Sequence, residues 1–579
     1  MRVRGRLIVT FTTLVVALIR PTSGELQAQA AGSVALSGVV SSQQEGKMEG
    51  VVVSARRDGV NVTVSVVSDA QGRYSFPRTH LQPGKYTLTI RAVGYDLTSR
   101  GPVDVADAKA STADLALQKT RDLASQLSSL EWAMSMPGTA EQKGKLVYQG
   151  ASCAYCHTYE RIVKSKHTAA EFVDVISRMQ TYFTDGTAIS GDRGRAQKNP
   201  PHLQASGSKN PNWGGVPKIE LAQYLSTVNL SGGRATWPYE LKTLPRPKGA
   251  ATRVIMTQWD MPRKDTVPHD IAVDAKGTPW YGDQSRMIIG QLDPKTGTFT
   301  EHPLPPLPAG RVGGVSDMQA DRDGNLWFPA TTPDGDCHFG TPVRFEPKTQ
   351  KLTWVEVPNR DAIFGTVNPC GLQFTGIGPD GKIWMNNTQA MVRIDPKTAK
   401  IDGTYFFAKG PNVPPGGHVG YQVVLSSKGN PFIADIGGSF IVGVDAGSGA
   451  VKYWPTPTPG VLPRRGQMDA QDRYWFTEYG ADKIAMFDTR TEKFQEWPVA
   501  KYTAPYTSSA PDRNGRVYFS SNMSERLLRL DPKTGEVIEY QVPTSFDSKK
   551  ILHDPATGRV ALWMGNTRNA RLLRVEPLD

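Results

Sequence analysis

The sequence predicts a multidomain, mainly β protein with three folded parts: an N-terminal β-sandwich, a small all-α domain and a C-terminal seven-bladed β-propeller. Three observations carry this prediction. Residues 33–118 alternate apolar and polar positions in short runs, residues 141–232 place helical patterns around a Cys-x-x-Cys-His motif, and residues 250–579 repeat one strand pattern seven times. With 579 residues, the chain is also too long for one ordinary domain.

The composition fits a turn-rich β protein with an ordinary surface. Gly (56) and Pro (43) are abundant, and the chain is 39% hydrophobic and 21% charged, which favours β-structure with many turns. The formal net charge is +12, but the basic residues are scattered singly and in pairs. Nucleic-acid binding is not expected, because it requires clustered positive charge.

Residues 1–30 read as a secretory signal peptide. Three arginines within the first six residues form a charged start, residues 7–19 are mostly apolar, and residues 28–30 (Ala-Gln-Ala) supply a small-x-small cleavage site. The apolar run is shorter than the ~20 residues that span a bilayer. We therefore expect export to the bacterial periplasm or the cell exterior, with no transmembrane span after cleavage. An uncleaved N-terminal anchor is the alternative.

Residues 33–118 show the period-two alternation of half-buried strands, as in Val62-Thr-Val-Ser-Val. Short strands at this spacing predict a small β-sandwich. The stretch from Ser68 through Pro83 to Tyr95 resembles the carboxypeptidase regulatory-like domain, which implies a carbohydrate-binding-like fold and a role as a spacer or adhesion module. Residues 119–140 are expected to form a helical linker, since residues 120–134 favour a helix.

The sharpest chemical signal is Cys153-x-x-Cys156-His157, within residues 141–232. Two residues between the cysteines let both thiols reach the two vinyl groups of one haem, and His157 then lies under the iron as its proximal ligand. A redox Cys-x-x-Cys pair needs no histidine after it, and a zinc site needs a second pair of ligands that this region lacks. The motif predicts one covalent haem c and electron transfer with a periplasmic redox partner protein.

The helices around the motif resemble those of cytochrome c. Residues 143–150 look like its first helix and residues 217–225 like its last, which in that family pack across each other beside the haem edge. The distal iron ligand stays open. Met179 is the only methionine between the motif and the end of the domain, and His202 precedes the last helix. His167 or an open position is the third alternative. A thioether ligand would raise the reduction potential relative to two imidazoles.

From residue 250 onward, each unit has an apolar strand, a turn that usually ends in Gly, a strand with an aromatic pair and a strand that typically ends in an Asp-Pro-Lys-Thr-Gly-like turn. The aromatic strands include Leu326-Trp-Phe and Tyr474-Trp-Phe. The seventh unit has only three strands, and residues 254–262 form an orphan strand before the first unit. We expect the orphan strand to complete the seventh blade and close the ring.

Phrases such as Asp270-Ile-Ala-Val-Asp and Trp475-Phe-Thr-Glu-Tyr-Gly resemble the virginiamycin B lyase propeller family. That family opens a cyclic depsipeptide by a magnesium-assisted elimination, using histidine and glutamate side chains on one face. The resemblance implies His269 and Glu478 as candidate catalytic residues, with Mg²⁺ as a cofactor if the chain is an active lyase. The match is incomplete, because Val267 stands where the family's Glu-Pro-His element has its glutamate.

Strand direction brings the start of each inner strand and the loop between the second and third strands to the same end of the propeller. We expect a polar funnel there for a small molecule, a carbohydrate or a partner. Its residues are His269, His338, His418, Arg464, Arg465, Glu478 and Tyr506. Cys337 and Cys370 fall at the same end, where an oxidising compartment favours a disulfide between them. A cysteinate metal site with His338 is the alternative.

Three function classes follow from these observations. The leading hypothesis is an exported electron-transfer cytochrome whose propeller binds a substrate or partner. The second is a streptogramin-type lyase with an accessory haem, and the third is a cell-surface protein that binds a sugar or a partner.

Overall fold

Strands dominate the molecule, as the alternating patterns predict. The structure is a computed structural model that describes residues 34–98, 101–149, 153–184, 189–190, 195–196, 211–213, 215–306, 313–330, 340–358, 372–387, 390–407, 413–415 and 419–578. The predicted signal peptide, residues 1–30, lies outside these residues, as do His202, Cys337, His338, Cys370 and His418.

The N-terminal residues form two sheets around one apolar core. One sheet joins β1 to β2, β5, β9 and β10, with β7 beside β10, and the other runs in the order β4-β3-β6-β8. Leu36, Val53, Phe76 and Leu115 are fully or almost fully buried between them. The strands are β1 Val34–Ser42, β2 Gly46–Lys47, β3 Val52–Arg57, β4 Val62–Val67, β5 Arg73–Pro77, β6 Gly84–Arg91, β7 Tyr95–Leu97, β8 Val103–Val105, β9 Ser111–Thr112 and β10 Leu115–Lys119.

Helices follow this β domain. They are α1 Ser129–Ser135, α2 Ala140–Gly144, α3 Cys153–Cys156, α4 Glu160–Val163, α5 Ala169–Thr184 and α6 Lys218–Val228, with a π-helix at Lys145–Gln149 and 3₁₀ turns at Ala124–Gln126 and Gly249–Thr252. Short strand pairs lie between α5 and α6: β11 Ile189–Ser190 with β12 Arg195–Ala196, and β13 Asn212–Trp213 with β14 Val216–Pro217.

The linker helix α1 begins later than residue 120. The Ser128 side chain accepts a hydrogen bond from the Glu131 backbone N–H, and the Glu131 side chain accepts one from the Ser128 backbone N–H. This capping box fixes the start of the helix at Ser129. The helix therefore covers only the later part of the stretch 120–134 that favours a helix.

In the described part of residues 254–577, the strands form seven four-stranded groups. Six groups are continuous in sequence: β16–β19 (Pro268–Val273, Pro279–Asp283, Ile288–Asp293, Thr298–Pro303), β20–β23 (Gln319–Ala320, Leu326–Ala330, Thr341–Glu346, Lys351–Trp354), β24–β27 (Phe374–Ile377, Ile383–Asn386, Ala390–Asp395, Lys400–Phe406), β28–β31 (Gly420–Leu425, Pro431–Asp435, Phe440–Val444, Val451–Pro455), β32–β35 (Pro463–Met468, Arg473–Glu478, Lys483–Asp488, Lys493–Pro498) and β36–β39 (Pro505–Ser508, Val517–Ser521, Arg526–Leu530, Val537–Gln541). The seventh joins β40–β42 (Ile551–His553, Leu562–Asn566, Arg571–Pro577) to β15 (Val254–Asp260).

The turn after each inner strand explains the repeated glycine. Gly277, Gly324 and Gly381 have φ values of 82°, 84° and 81°, in the left-handed region that glycine occupies without a Cβ penalty. Asp472 occupies the corresponding position of the fifth unit with φ 59°. Aspartate is among the few other residues that tolerate this conformation, so the unit keeps its turn without the glycine.

The orphan strand β15 is shared by two modules. On one edge it pairs antiparallel with β42, with Met256 opposite Val575. On the other edge it pairs antiparallel with β4 of the N-terminal domain, with Met256 opposite Ser65. The result is one eight-stranded sheet, β40-β41-β42-β15-β4-β3-β6-β8, which joins the N-terminal domain to the last propeller group by backbone hydrogen bonds.

Candidate functional site

The Cys-x-x-Cys-His motif occupies a single helical turn, α3. Cys153 and Cys156 are the first and last residues of this turn, and His157 follows directly. The Cys156 side chain lies outside the described part of the structure. Burial raises the pKa of the Cys153 thiol to about 12, which is opposite to the lowered pKa of a redox-active Cys-x-x-Cys thiol.

The imidazole of His157 is oriented by the backbone of the next residue. Its Nδ1 lies 2.8 Å from the carbonyl oxygen of Thr158. Metal-ligating histidines commonly donate Nδ1–H to a carbonyl in this way, which fixes the tautomer with Nε2 as the ligating nitrogen. Two cysteines on one turn and a histidine oriented in this manner therefore fit the donor set of a covalent haem c.

The distal candidates have different surroundings. Met179 lies on α5, half-buried, and packs against the same apolar cluster as Cys153. The His167 ring packs edge-on against Phe172 with centroids 5.5 Å apart, and its carbonyl accepts a hydrogen bond of 2.8 Å from Asn229 Nδ2. His202 lies outside the described residues. The structure thus places Met179, but not His202, relative to the motif.

The helical domain is docked on the propeller. A single apolar cluster, here called the docking cluster, contains residues of both: Leu130, Val147, Ala154 and Leu221 from the helical part, and Tyr479, Tyr502, Ala504, Tyr506 and Met523 from the propeller. Hydrogen bonds cross the same contact. Tyr479 Oη donates to Val147 O at 3.0 Å, and the Leu130 N–H donates to Met523 O at 2.7 Å.

This docking covers the end at which we expected an open funnel. Tyr479 and Met523 lie in loops between second and third strands, and Tyr506 lies at the start of an inner strand. Of the residues expected at that end, Arg464 and Tyr506 lie in the contact with the helical part, and strand direction remains a prediction for the others. It gave no information about a neighbouring domain, because the partners are far apart in sequence and carry no shared motif.

Tyrosine rings continue from the π-helix that precedes the motif into the propeller. The Tyr148 ring packs on Tyr502 and Tyr479 with centroids 6.2 and 6.5 Å away. Tyr479 lies 6.2 Å from Tyr506, which lies 6.3 Å from Tyr421. Nothing in the sequence predicted that Tyr148, Tyr421 and Tyr479 pack together. The one feature that could have drawn attention to Tyr479 is its position next to the candidate residue Glu478.

The Arg464 guanidinium is inserted among these rings. It lies 4.8 Å from the Tyr479 ring centroid and 5.4 Å from those of Tyr421 and Tyr506. Cation–π contacts of this kind are strongest when water is excluded. Predicted funnel residues Arg464 and Tyr506 therefore pack against each other beneath the docked helices.

Deeper in the propeller, buried charges pair across the inner strands. Arg465 forms an ion pair with Asp270, and His269 Nδ1 lies 2.5 Å from the other Asp270 oxygen. Lys550 Nζ lies 2.6 Å from Asp317 Oδ1. We call these five residues the axial cluster.

Ionisation in the axial cluster follows from these pairs. Burial opposes the charged form of Asp270, but Arg465 and His269 outweigh it and hold the pKa of this carboxyl well below its usual range. Burial lowers the pKa of His269, although Asp270 opposes the shift. His269 is only 6% exposed. It is therefore a buried partner of Asp270 rather than a group that faces an open funnel.

Glu478 has a different environment. It is fully buried at the end of β33, with the side chains of Glu496 and Lys483 nearby. Burial, reinforced by the charge of Glu496 and opposed by Lys483, raises the pKa of Glu478 to about 8. The charges that act on His269 come instead from Asp270, Arg465 and Lys549. Different charged groups therefore act on the two candidate catalytic residues.

Within the described residues, no group of three His, Cys, Asp or Glu side chains is arranged to hold a metal ion. Among those residues, no helix is both long enough and apolar enough to cross a membrane.

Comparison with known proteins identifies the N-terminal domain. The model of the carboxypeptidase regulatory-like domain family matches residues 35–118, which confirms that resemblance. No curated protein matches the chain.

Among solved structures, virginiamycin B lyase from Staphylococcus aureus is similar at 20% identity, with 56% of this chain and 99% of that chain covered and a TM-score of 0.46. A streptogramin B lyase is similar at 18% identity, with 57% and 99% covered and a TM-score of 0.47. An extracellular domain from B. thetaiotaomicron is similar at 13% identity, with 54% and 41% covered and a TM-score of 0.41. At this level of likeness nothing about activity is carried over.

Proposed function

We propose that this protein is an exported c-type cytochrome that transfers electrons through one haem held by the Cys153–His157 turn. The observation that carries the proposal is the donor set: Cys153 and Cys156 on one helical turn, followed by a histidine whose Nδ1 contacts a backbone carbonyl. The high pKa of the Cys153 thiol argues against a dithiol redox role for the same motif. Residues 1–30 are proposed as the signal peptide that sends the chain to the periplasm or the exterior.

In this proposal Cys153 and Cys156 attach the haem, and His157 is the proximal ligand. Haem c bound there supplies one-electron transfer. Met179 is proposed as the distal ligand, because it packs against the same apolar cluster as Cys153. His202 is its alternative. A thioether-to-iron absorption band in the oxidised protein, lost in Met179→Ala, would support Met179, and a band unchanged by the substitution would exclude it.

The propeller is proposed as a seven-bladed ring that serves as the docking platform of the haem turn. Burial of the docking cluster keeps water from the side of the turn that faces Tyr479 and Tyr506. A redox partner protein would bind to the part of the helical domain that the propeller leaves uncovered, and electrons would pass there between the partner and the haem. We also propose the Cys337–Cys370 disulfide, which a thiol titration of the unfolded protein with and without reductant would test.

The lyase alternative receives less support. General acid–base chemistry requires groups within hydrogen-bond reach of one substrate. His269 contacts the Asp270 carboxylate. The charged groups that shift the pKa of Glu478 are different ones, Glu496 and Lys483. Both are buried beneath neighbouring side chains. Any elimination of a streptogramin by the purified protein, abolished by His269→Ala, would restore this alternative.

The electron-transfer proposal is tested by spectroscopy on protein matured in a host that exports and attaches haem c. We expect a c-type pyridine haemochrome and a reversible change in the absorption spectrum between the oxidised and reduced states. A protein that folds and is exported but shows no haemochrome would overturn the proposal.

A further inference from the structure

A buried ionic network connects all three modules at the haem-binding turn. It contains Arg91 of the N-terminal domain and Glu525 and Arg568 of the propeller, and it ends on Ala154, between the two motif cysteines. Arg568 Nη1 donates to Glu525 Oε1 at 2.8 Å, and Arg568 Nη2 donates to the Ala154 carbonyl oxygen at 2.6 Å. The other Glu525 oxygen pairs with Arg91.

Arg568, Glu525 and Ala154 are closed off from solvent, whereas the Arg91 side chain is 17% exposed. Arg568 is 1% exposed, Glu525 is 3% exposed and Ala154 is fully buried. Arg91 is further anchored by hydrogen bonds to the carbonyls of Val542 and Thr544, at 2.7 and 2.6 Å. A hydrogen bond from a charged donor is about twice as strong as a neutral one. The guanidinium of Arg568 therefore holds the backbone of the motif against the propeller.

The network also carries an excess of positive charge. Two guanidinium groups, of Arg91 and Arg568, face one carboxylate, of Glu525, which leaves one uncompensated positive charge beside the turn. Because the site is buried, this charge is screened far less than a surface charge. Ferric haem carries one more positive charge than ferrous haem, so a nearby cation favours the reduced state.

We propose that Arg568 is a positioning residue for the haem-binding turn and that the Arg91–Glu525–Arg568 network raises the reduction potential of the haem attached there. This inference rests on the proposed function, because it requires that the turn carries haem. It goes further in assigning the propeller a direct influence on the haem, through one residue that lies 414 positions from Ala154 in the sequence.

The first measurement is the midpoint potential of Arg568→Gln. Removing the cation should favour the ferric state, and we expect the equilibrium constant for haem reduction to fall about tenfold, which is ~59 mV for a one-electron couple. Arg568→Lys keeps the charge but not the paired geometry, so its potential should fall less. Arg559→Gln is the matched control, because it removes an exposed arginine of the same propeller group. Its potential should equal that of the wild type.

The second variant should shift the midpoint potential in the opposite direction. Glu525→Gln removes the only carboxylate of the network and leaves both guanidinium groups uncompensated, so its potential should rise. Opposite shifts in Arg568→Gln and Glu525→Gln support the proposal. Equal potentials in both variants and the wild type, or shifts of the same sign, overturn its electrostatic part.

The positioning role has a readout that does not need haem. In full-length protein prepared without haem, amide hydrogen exchange across residues 153–163 should be faster in Arg568→Gln than in the wild type and Arg559→Gln, because Ala154 O loses its partner. Unchanged exchange overturns the positioning role. A wild-type protein without a haemochrome would instead refute the proposed function, and the exchange result would still stand by itself.

Discussion

The axial cluster of the propeller and the Cys153–His157 turn lie near one interface but differ in how their polar groups are used. In the axial cluster, Asp270 and Asp317 each have a cation beside them, and His269 is bound to Asp270. At the turn, Arg568 of the propeller binds the Ala154 carbonyl, and the His157 imidazole contacts the adjacent Thr158 carbonyl. Mutual pairing stabilises a fold, whereas a turn held through its backbone keeps side chains available for chemistry. The difference supports the proposals of a reactive centre at the turn and of a structural role for the axial cluster.

The largest expected effect is at the turn. Cys153→Ser combined with Cys156→Ser should abolish covalent haem attachment, since both thioether bonds are lost, while the propeller still folds. The measurement is haem-stained gel electrophoresis together with far-ultraviolet circular dichroism. Retention of covalent haem by the double variant would show that the turn is not the attachment site.

The next effect tests whether the axis is structural. Asp270→Asn breaks a buried ion pair and leaves Arg465 without its carboxylate, which typically costs about 3–5 kcal/mol. We expect the free energy of unfolding to fall by that amount in chemical denaturation, with the haem spectrum unchanged. Asp323→Asn, at an exposed turn, is the control and should change the stability by less than about 0.5 kcal/mol.

A smaller effect distinguishes Glu478 from the paired acids. Its pKa is raised to about 8 in the folded protein, whereas an unfolded glutamate titrates near 4.3. Between these values the folded state holds a proton that the unfolded state has lost, so stability should fall as pH rises from about 5 to 8 and then level off.

With each pKa unit worth about 1.4 kcal/mol, the loss from Glu478 over the roughly three pH units from 5 to 8 is on the order of 4 kcal/mol. Glu478→Gln should remove this dependence, as measured by denaturation at pH 5, 7 and 9. An identical pH dependence in the variant and the wild type would contradict the buried, neutral state of Glu478.

The smallest effect lies at the interface itself. Tyr148 Oη donates to the Asp482 carboxylate and packs on Tyr502. Tyr148→Phe keeps the ring but removes the hydrogen bond to Asp482 and the one of 3.3 Å that Tyr148 Oη accepts from the Tyr502 N–H, at a net cost of about 1 kcal/mol. Asp482 keeps two backbone donors, the N–H groups of Tyr502 and Ala504, which limits the cost. A decrease in the denaturation midpoint with an unchanged haem spectrum is expected, and a loss of haem would show that Tyr148 has a role beyond docking.

Local patterns predicted local structure well. The alternation of residues 62–66 corresponds to β4, and the turn that needs a left-handed residue tolerates Asp472 where other units have glycine. The Cys-x-x-Cys spacing likewise indicated residues that share one helical turn. These features depend on neighbours within a few positions, and the sequence displays them directly.

Contacts between modules could not be predicted in this way. Periodicity indicates that a face is buried but not what covers it. Tyr479 and Val147 are 332 positions apart, and Arg568 and Ala154 are 414 apart. The pairing of β15 with β4 was missed for the same reason, since one edge of β15 was already assigned to the last propeller group. The raised pKa of Glu478 depends on Glu496 and Lys483, which lie on neighbouring strands of the sheet. It could not be predicted from the sequence either.

The most direct test of the central claim is mass spectrometry of the exported wild-type protein after acidic acetone has removed non-covalent haem. We predict a polypeptide mass increased by one haem, carried by the proteolytic peptide that contains Cys153, Cys156 and His157. A peptide of unmodified mass, from protein matured in a host that attaches haem to other c-type cytochromes, would contradict the account.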